Sequence, residues 1–305
     1  GSGAIPLTTP HFWNAAYTGD LRSITRAIAA RMAVDNPRAC VFIVGNSLGA
    51  NVTTKYLAEE CSNGNGRGTL PDCVVGGVVL GNPFHINGAT CPPPWAEMIA
   101  GGVKRSIFGN RKELKQSVER WRWKEFIRKV YLAQTIGAVD EVLAPLLIRN
   151  EPTWPFQKKI GYTDGQEYWD DASTHNSVTQ ISIPLLNISS VDDFLVAKSA
   201  KLAFANCLAN PNVLTVQTKC GGHLGWQEAL PANKGTYFGG IGKSWADSAT
   251  ADFIQAIIEM RVYDYEHKVE GSGKEGLKAA ATKAKTMAKG IVEDIYSSRK
   301  IRSKL

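Results

Sequence analysis

Residues 40–60 read CVFIVGNSLGANVTTKYLAEE. The stretch opens on four apolar residues, Val41-Phe42-Ile43-Val44. It passes through Gly45-Asn46-Ser47-Leu48-Gly49 and continues with Ala50, Val52, Tyr56 and Leu57 at helical spacing. That pattern predicts a strand, a tight turn and a helix. The turn carries G-x-S-x-G, which sets a serine at the tip of a strained strand-to-helix bend, with its hydroxyl clear of the sheet edge. The glycines follow from the bend: backbone on either side runs close to strand and helix, so a Cβ at position 45 or 49 is expected to collide. Leu48 opens the helix. Its N–H precedes the first helical hydrogen bond and faces whatever Ser47 attacks, which makes it a candidate oxyanion donor. A five-residue pattern recurs by chance, and the strand and helix around it are what give it weight.

The 305 residues are 44% apolar and 21% charged, ordinary for a globular protein with a large core. No run of about 18 apolar residues occurs. Six cysteines, Cys40, Cys61, Cys73, Cys91, Cys207 and Cys220, are scattered without a C-x-x-C pair. They read as core thiols, not as a metal site or a disulfide frame. The net charge of +7 is uneven: residues 268–305 hold ten Lys or Arg against four acids, so +6 of it sits there. The charge therefore belongs to a basic appendage and gives no reason to expect a nucleic-acid-binding fold.

A helix is expected over 17–32, with Leu21, Ile24, Ile28 and Met32 on one face. After strand 41–44 and its helix, residues 63–68 (NGNGRG) form a turn. VVGGVVL at 74–80 is a second buried strand. Residues 84–181 change character. They are long, aromatic-rich and helical in pattern, with helices over 97–108, 111–135 and about 166–173 and no strand signal. Strands resume at 184–188 and 213–218, separated by a helix at 198–209, and a helix over 248–263 closes the fold. Alternating apolar strands and helices imply an α/β protein with a mainly parallel sheet covered on both faces. The expected domains are a core of residues 1–83 and 182–265, a helical cap inserted at 84–181, and a Lys/Ala-rich tail at 266–305.

Ser47, the pair Asp192-Asp193 and His223 each follow a strand. In open parallel sheets the carboxyl ends of the strands line the ligand crevice, so the three can meet there. A serine hydroxyl is a poor nucleophile at neutral pH. It needs a histidine to take its proton and a carboxylate to fix the histidine tautomer and steady the imidazolium. Of His11, His85, His175, His223 and His267, only His223 follows a strand and sits in a glycine-rich loop, GGHLGW. Asp193 is the expected acid and Asp192 the reserve. Either would also serve as cap for the helix that follows.

The segments PLTTPHFWNAAYTGDLR, IVGNSLGANVTTKYLAEE, VVLGNPF, EYWDDAS, PLLNISSVDD and GGHLGW resemble, together and in order, the YheT-like, embryogenesis-associated branch of the α/β-hydrolases. That branch includes monoacylglycerol lipases, medium-chain phospholipases and short-chain carboxylesterases. The resemblance spans about residues 6–226. It implies the α/β-hydrolase fold with a helical cap and an ester or lipid hydrolase without cofactor or metal. In it Ser47 would be nucleophile, Asp193 acid and His223 base. It also implies an intracellular, membrane-associated protein. Members of the branch carry a hundred or more residues before the segment that PLTTP matches, including the first strands and a loop with the second oxyanion donor. The chain is accordingly expected to be N-terminally incomplete, with strand 41–44 as an exposed edge. Two classes of function stand open. One is a serine esterase or lipase working through an acyl-enzyme. The other is a non-catalytic remnant that keeps the triad and acts as a binding module. The basic tail would add a contact with an anionic membrane surface.

Overall fold

The strand VVGGVVL lies inside the main sheet. In the computed structural model it forms β2 (Val74–Leu80), buried along its whole length. Its two glycines let neighbours close in. A Cβ on Gly76 would meet the Phe42 ring at 2.9 Å, and one on Gly77 would meet the Leu57 side chain at 2.8 Å. β2 lies between β1 (Val41–Asn46) and β5 (Leu185–Ser190), and β6 (Val213–Thr218) follows on the far side. All four strands are parallel, in the order β1-β2-β5-β6. The structure describes residues 7, 12–62, 69–120, 122–150, 158–229 and 241–269. Most of the expected basic tail lies outside them. The chain divides into two units, Gly1–Ala246 and Asp247–Leu305.

One face of the sheet packs on α2 (Leu48–Ser62) and α8 (Ala197–Ala209). Ile43, Val79, Leu185 and Val213 meet Tyr56, Leu57, Ala203 and Cys207 there in one apolar cluster. On the opposite face Val78 and Leu186 are buried, but Val44 and Leu214, on the two edge strands, stay 49% and 42% exposed. Coverage of both faces, expected from the run of apolar strands, thus holds at the centre of the sheet and not at its edges. Apolar content sets that a strand is buried somewhere, not how far its cover extends.

The first helix, α1 (Gly19–Asp35), turns the other way from the sequence expectation. Ile24 and Ile28 are exposed, and the buried residues are Arg22 and Thr25. The reason is charge. Arg22 donates to Glu60, whose side chain is fully buried, and to Glu59 at 2.8 Å, while the Thr69 hydroxyl donates to Glu60 at 2.6 Å. A buried carboxylate holds its cation more firmly than solvent releases an isoleucine. Replacing Arg22 by methionine leaves the buried Glu60 with only the half-exposed Arg26, 3.5 Å away, and the Thr69 hydroxyl, and is expected to lower stability by about 3 kcal/mol. Urea unfolding of the variant reads it directly.

Between β2 and β5 the chain is more broken than its composition implies. α3 (Trp95–Gly109) matches expectation, but the single helix expected over 111–135 is two short ones, α4 (Arg111–Leu114) and α5 (Trp123–Leu132). Two elements with no sequence expectation follow. One is α6 (Ile136–Leu143), capped by Thr135, whose hydroxyl accepts from Ala138 N–H. The other is an antiparallel hairpin of β3 (Ile148–Asn150) and β4 (Lys158–Ile160), which corrects the reading of this stretch as free of strands. Three-residue strands give too few alternations to show a period. α7 (Gly165–Ala172) completes the stretch, with the Asp164 carboxylate accepting from Glu167 N–H. Ile107, Leu114, Val130, Val139 and Leu143 form a second core here. Beyond β6 come β7 (Gln227–Ala229) and β8 (Ile241–Ser244), paired antiparallel, and α9 (Trp245–Val269).

Candidate active site

The elbow forms where β1 runs into α2. Ser47 has φ 52°, the left-handed region that L-residues occupy at a cost of about 1–3 kcal/mol. Its N–H donates to Leu80 C=O at 2.8 Å and its C=O accepts from Ala50 N–H at 2.9 Å, so strand and helix both hold the bend. The two glycines are not equivalent. A Cβ on Gly45 would lie 2.5 Å from Gly49 O and 2.6 Å from Thr53 Oγ1, whereas nothing lies within 4 Å of one on Gly49. The expected collision at Gly49 is therefore absent, because its open side faces away from the packed helix–strand seam. Gly45→Ala should lose about 2 kcal/mol by overpacking. Gly49→Ala, inside a helix, should gain up to about 1 kcal/mol. Paired thermal melts of the two variants separate them.

Asp193 follows β5 and His223 follows β6, so all three residues reach the site from the carboxyl ends of parallel strands. His223 Nε2 lies 2.7 Å from Ser47 Oγ. His223 Nδ1 lies 2.9 Å from Asp193 Oδ2. The other oxygen of Asp193, Oδ1, accepts from Leu195 N–H at 2.9 Å and Val196 N–H at 3.0 Å. One carboxylate thus caps the next turn and faces the imidazole at once. Asp192 does something else. Its Oδ1 accepts from the Ser190 hydroxyl and from Gly222 N–H at 2.8 Å, tying β5 to the loop that carries His223. These hydrogen bonds hold the Asp192 carboxyl below the usual carboxylate range.

The loop needs its glycines. Gly221 and Gly222 have φ of 150° and 54°, and a Cβ on Gly221 would sit 2.3 Å from the Trp226 indole nitrogen. That indole donates to Thr218 Oγ1 at 2.8 Å and so pins the end of the loop to β6. Leu48 is the first residue of α2, which leaves its N–H ahead of the helix's own hydrogen bonds and beside Ser47.

A cavity of about 260 Å³ opens next to Ser47 and Leu48. Its wall is mostly apolar, with Ile86, Ile99, Val103, Leu143 and Leu147 among the lining residues. Asn14, Asn87, Thr90, Asp140 and Tyr168 are among its buried or half-buried polar groups. Residues 12–15 and Asp140 were not expected at the site: they come to the cavity through packing, from a loop and from a helix that periodicity did not reveal. Among the described residues no group of three or more His, Cys, Asp or Glu side chains is placed to hold a metal ion. None of the described helices is long and apolar enough to cross a membrane.

The parallel sheet, the elbow and the order Ser, Asp, His at three strand ends decide the fold. This chain has the α/β-hydrolase fold, and its sequence is similar to proteins of the embryogenesis-associated branch. Its relatives agree. The embryogenesis-associated protein EMB8 of Picea glauca is 26% identical over 263 residues, covering 86% of this chain and 51% of its own length. A monoacylglycerol lipase of Saccharomyces cerevisiae is 25% identical, over 72% of this chain and 44% of its own. The phospholipase ABHD3 of Bos taurus is 31% identical, over 40% of this chain and 27% of its own. The α/β-hydrolase chain described here thus spans about half, or less, of the length of these relatives. No protein-family model matches it.

Proposed function

We propose that this α/β-hydrolase cleaves carboxylic esters of lipids, or of short- to medium-chain acids, through an acyl-enzyme on Ser47. The observation that carries the reading is the pair of contacts on one imidazole, Nε2 to Ser47 and Nδ1 to Asp193. An ionised carboxylate only accepts, so Nδ1 carries the ring proton and Nε2 is left as an acceptor for the serine hydroxyl. Nε2 takes that proton as Oγ attacks the ester carbonyl, and gives it to the departing alcohol. Water then repeats the sequence and releases the acid. The Leu48 N–H stabilises the oxyanion, with the favourable end of α2 behind it.

Two further points support lipid esters as substrates. The cavity beside Ser47 is walled by apolar side chains, several from the helical stretch 84–181, which serves here as a cap over the serine. Relatives that align along the chain are named monoacylglycerol lipase and phospholipase. The basic residues of 268–305 would hold the protein near an anionic membrane, where each contributes about 1 kcal/mol close to the surface.

The test is intact-mass analysis during turnover of p-nitrophenyl esters and short monoacylglycerols. A mass increase equal to the acyl group, on a population that decays as acid is released, is the expected result. Tight ester binding with neither adduct nor product would favour a binding module over an esterase.

A further inference from the structure

A second carboxyl, which the proposed mechanism does not use, faces the same cavity. α6 sets Asp140 on the wall that Ser47 and Leu48 share. Its Oδ2 accepts the Trp169 indole N–H at 3.3 Å, and among the described residues no other hydrogen bond holds the carboxyl. Among the described residues no Lys, Arg or His lines the cavity. The neighbouring acid, Glu141, is turned away and accepts from Gly165 N–H at 2.8 Å. Tyr168 shares the wall, and its phenol oxygen accepts from Ala15 N–H at 3.1 Å. Serving one indole occupies one oxygen, Oδ2, and leaves Oδ1 without a hydrogen bond among the described residues.

We propose that Asp140 binds a hydroxyl group of the substrate and so selects hydroxylated esters over plain alkyl esters. This rests on the esterase reading of Ser47. A polar group left short of partners in an apolar wall gains most from a ligand that supplies one, and a site built that way rejects the analogue lacking the group. Burial pushes the Asp140 carboxyl up to about 7. Near neutral pH it therefore donates as well as accepts, which matches a hydroxyl. A site for a quaternary ammonium would need a carboxylate kept ionised, and among the described residues no cation lines the cavity to do that. The hydroxyl can belong to the alcohol part of the ester, as in a glycerol monoester, or to its acyl chain.

The experiment is titration calorimetry on the full chain carrying Ser47→Ala, which binds without turnover. Three ligands are compared: glyceryl monohexanoate, ethyl ω-hydroxyhexanoate and ethyl hexanoate. At least one hydroxylated ester should bind about tenfold tighter than ethyl hexanoate, as one hydrogen bond to a carboxyl allows. Which one does so tells whether the alcohol or the acyl side is read. Adding Asp140→Leu should erase the ratio and leave ethyl hexanoate bound as before. Adding Asp140→Asn, which keeps an acceptor for Trp169 and an amide for the hydroxyl, should retain most of it. The proposal is overturned if the ratio survives Asp140→Leu, or if all three ligands weaken together in both variants, as for a merely structural residue. It is also overturned if choline hexanoate, run as a fourth ligand, binds tightest and Asp140→Asn destroys that preference. Absence of turnover by the unaltered chain would count against the esterase reading and leave these binding ratios readable.

Discussion

Replacing Ser47 by alanine is expected to lower kcat for ester hydrolysis by a factor on the order of 10⁴ or more. The size follows from what is lost. Without Oγ there is no acyl-enzyme, and His223 has nothing to deprotonate except water. What survives is binding and the Leu48 N–H, and residual catalysis of that kind is small. Stability should hardly move, because the backbone bonds from Ser47 N–H to Leu80 and from Ala50 N–H to Ser47 stay in place. Steady-state rates with a p-nitrophenyl ester, together with a urea titration, give both numbers. Turnover within tenfold of the unaltered chain would place the nucleophile elsewhere.

The next largest effect is expected at Asp193. Asparagine there can still cap the turn through its amide oxygen, accepting from Leu195 and Val196 N–H as the carboxylate does. Its NH₂ group would then face His223 Nδ1 and donate to it. The ring proton would shift to Nε2, where it points at Ser47 and blocks the transfer. Asp193→Asn should therefore cost about 10³ to 10⁴ in kcat with an intact fold. Asp192→Asn should cost far less. Asp192 contacts Gly222 N–H and the Ser190 hydroxyl and does not touch the imidazole, so its effect runs only through the placing of the loop. Comparing kcat for the two variants tests the choice between adjacent acids. Equal losses would mean that loop position, not tautomer, limits the reaction.

The adjacent acids also show how far the sequence could be read. That an acid follows the strand at Leu185–Ser190 was plain from the order of apolar runs and turns. Which of the two faces His223 depends on the twist of a few residues after the strand. There Asp193 serves both the cap and the ring, a double use that no pattern announces. The four strands of the parallel sheet were legible, β2 most plainly, since seven apolar or glycine residues in a row admit few readings. Helix faces were less legible. On α1 the isoleucines suggested a buried stripe, yet the decisive residue was Arg22, because its partner Glu60 lies buried on α2. A pairing across 38 positions leaves no local trace. The cavity wall was least legible of all. Asp140 comes from a short helix, and Asn14 and Ala15 come from a loop near the start of the described chain.

All of these effects depend on the activation of Ser47 by His223 and Asp193. Labelling with a fluorophosphonate, followed by peptide mass spectrometry, tests it most directly, since that reagent bonds to an activated serine. A single phosphonylated serine, Ser47, is expected, with labelling abolished in His223→Ala and strongly slowed in Asp193→Asn. An unlabelled Ser47 in a folded chain, or labelling that persists unchanged in His223→Ala, would contradict it.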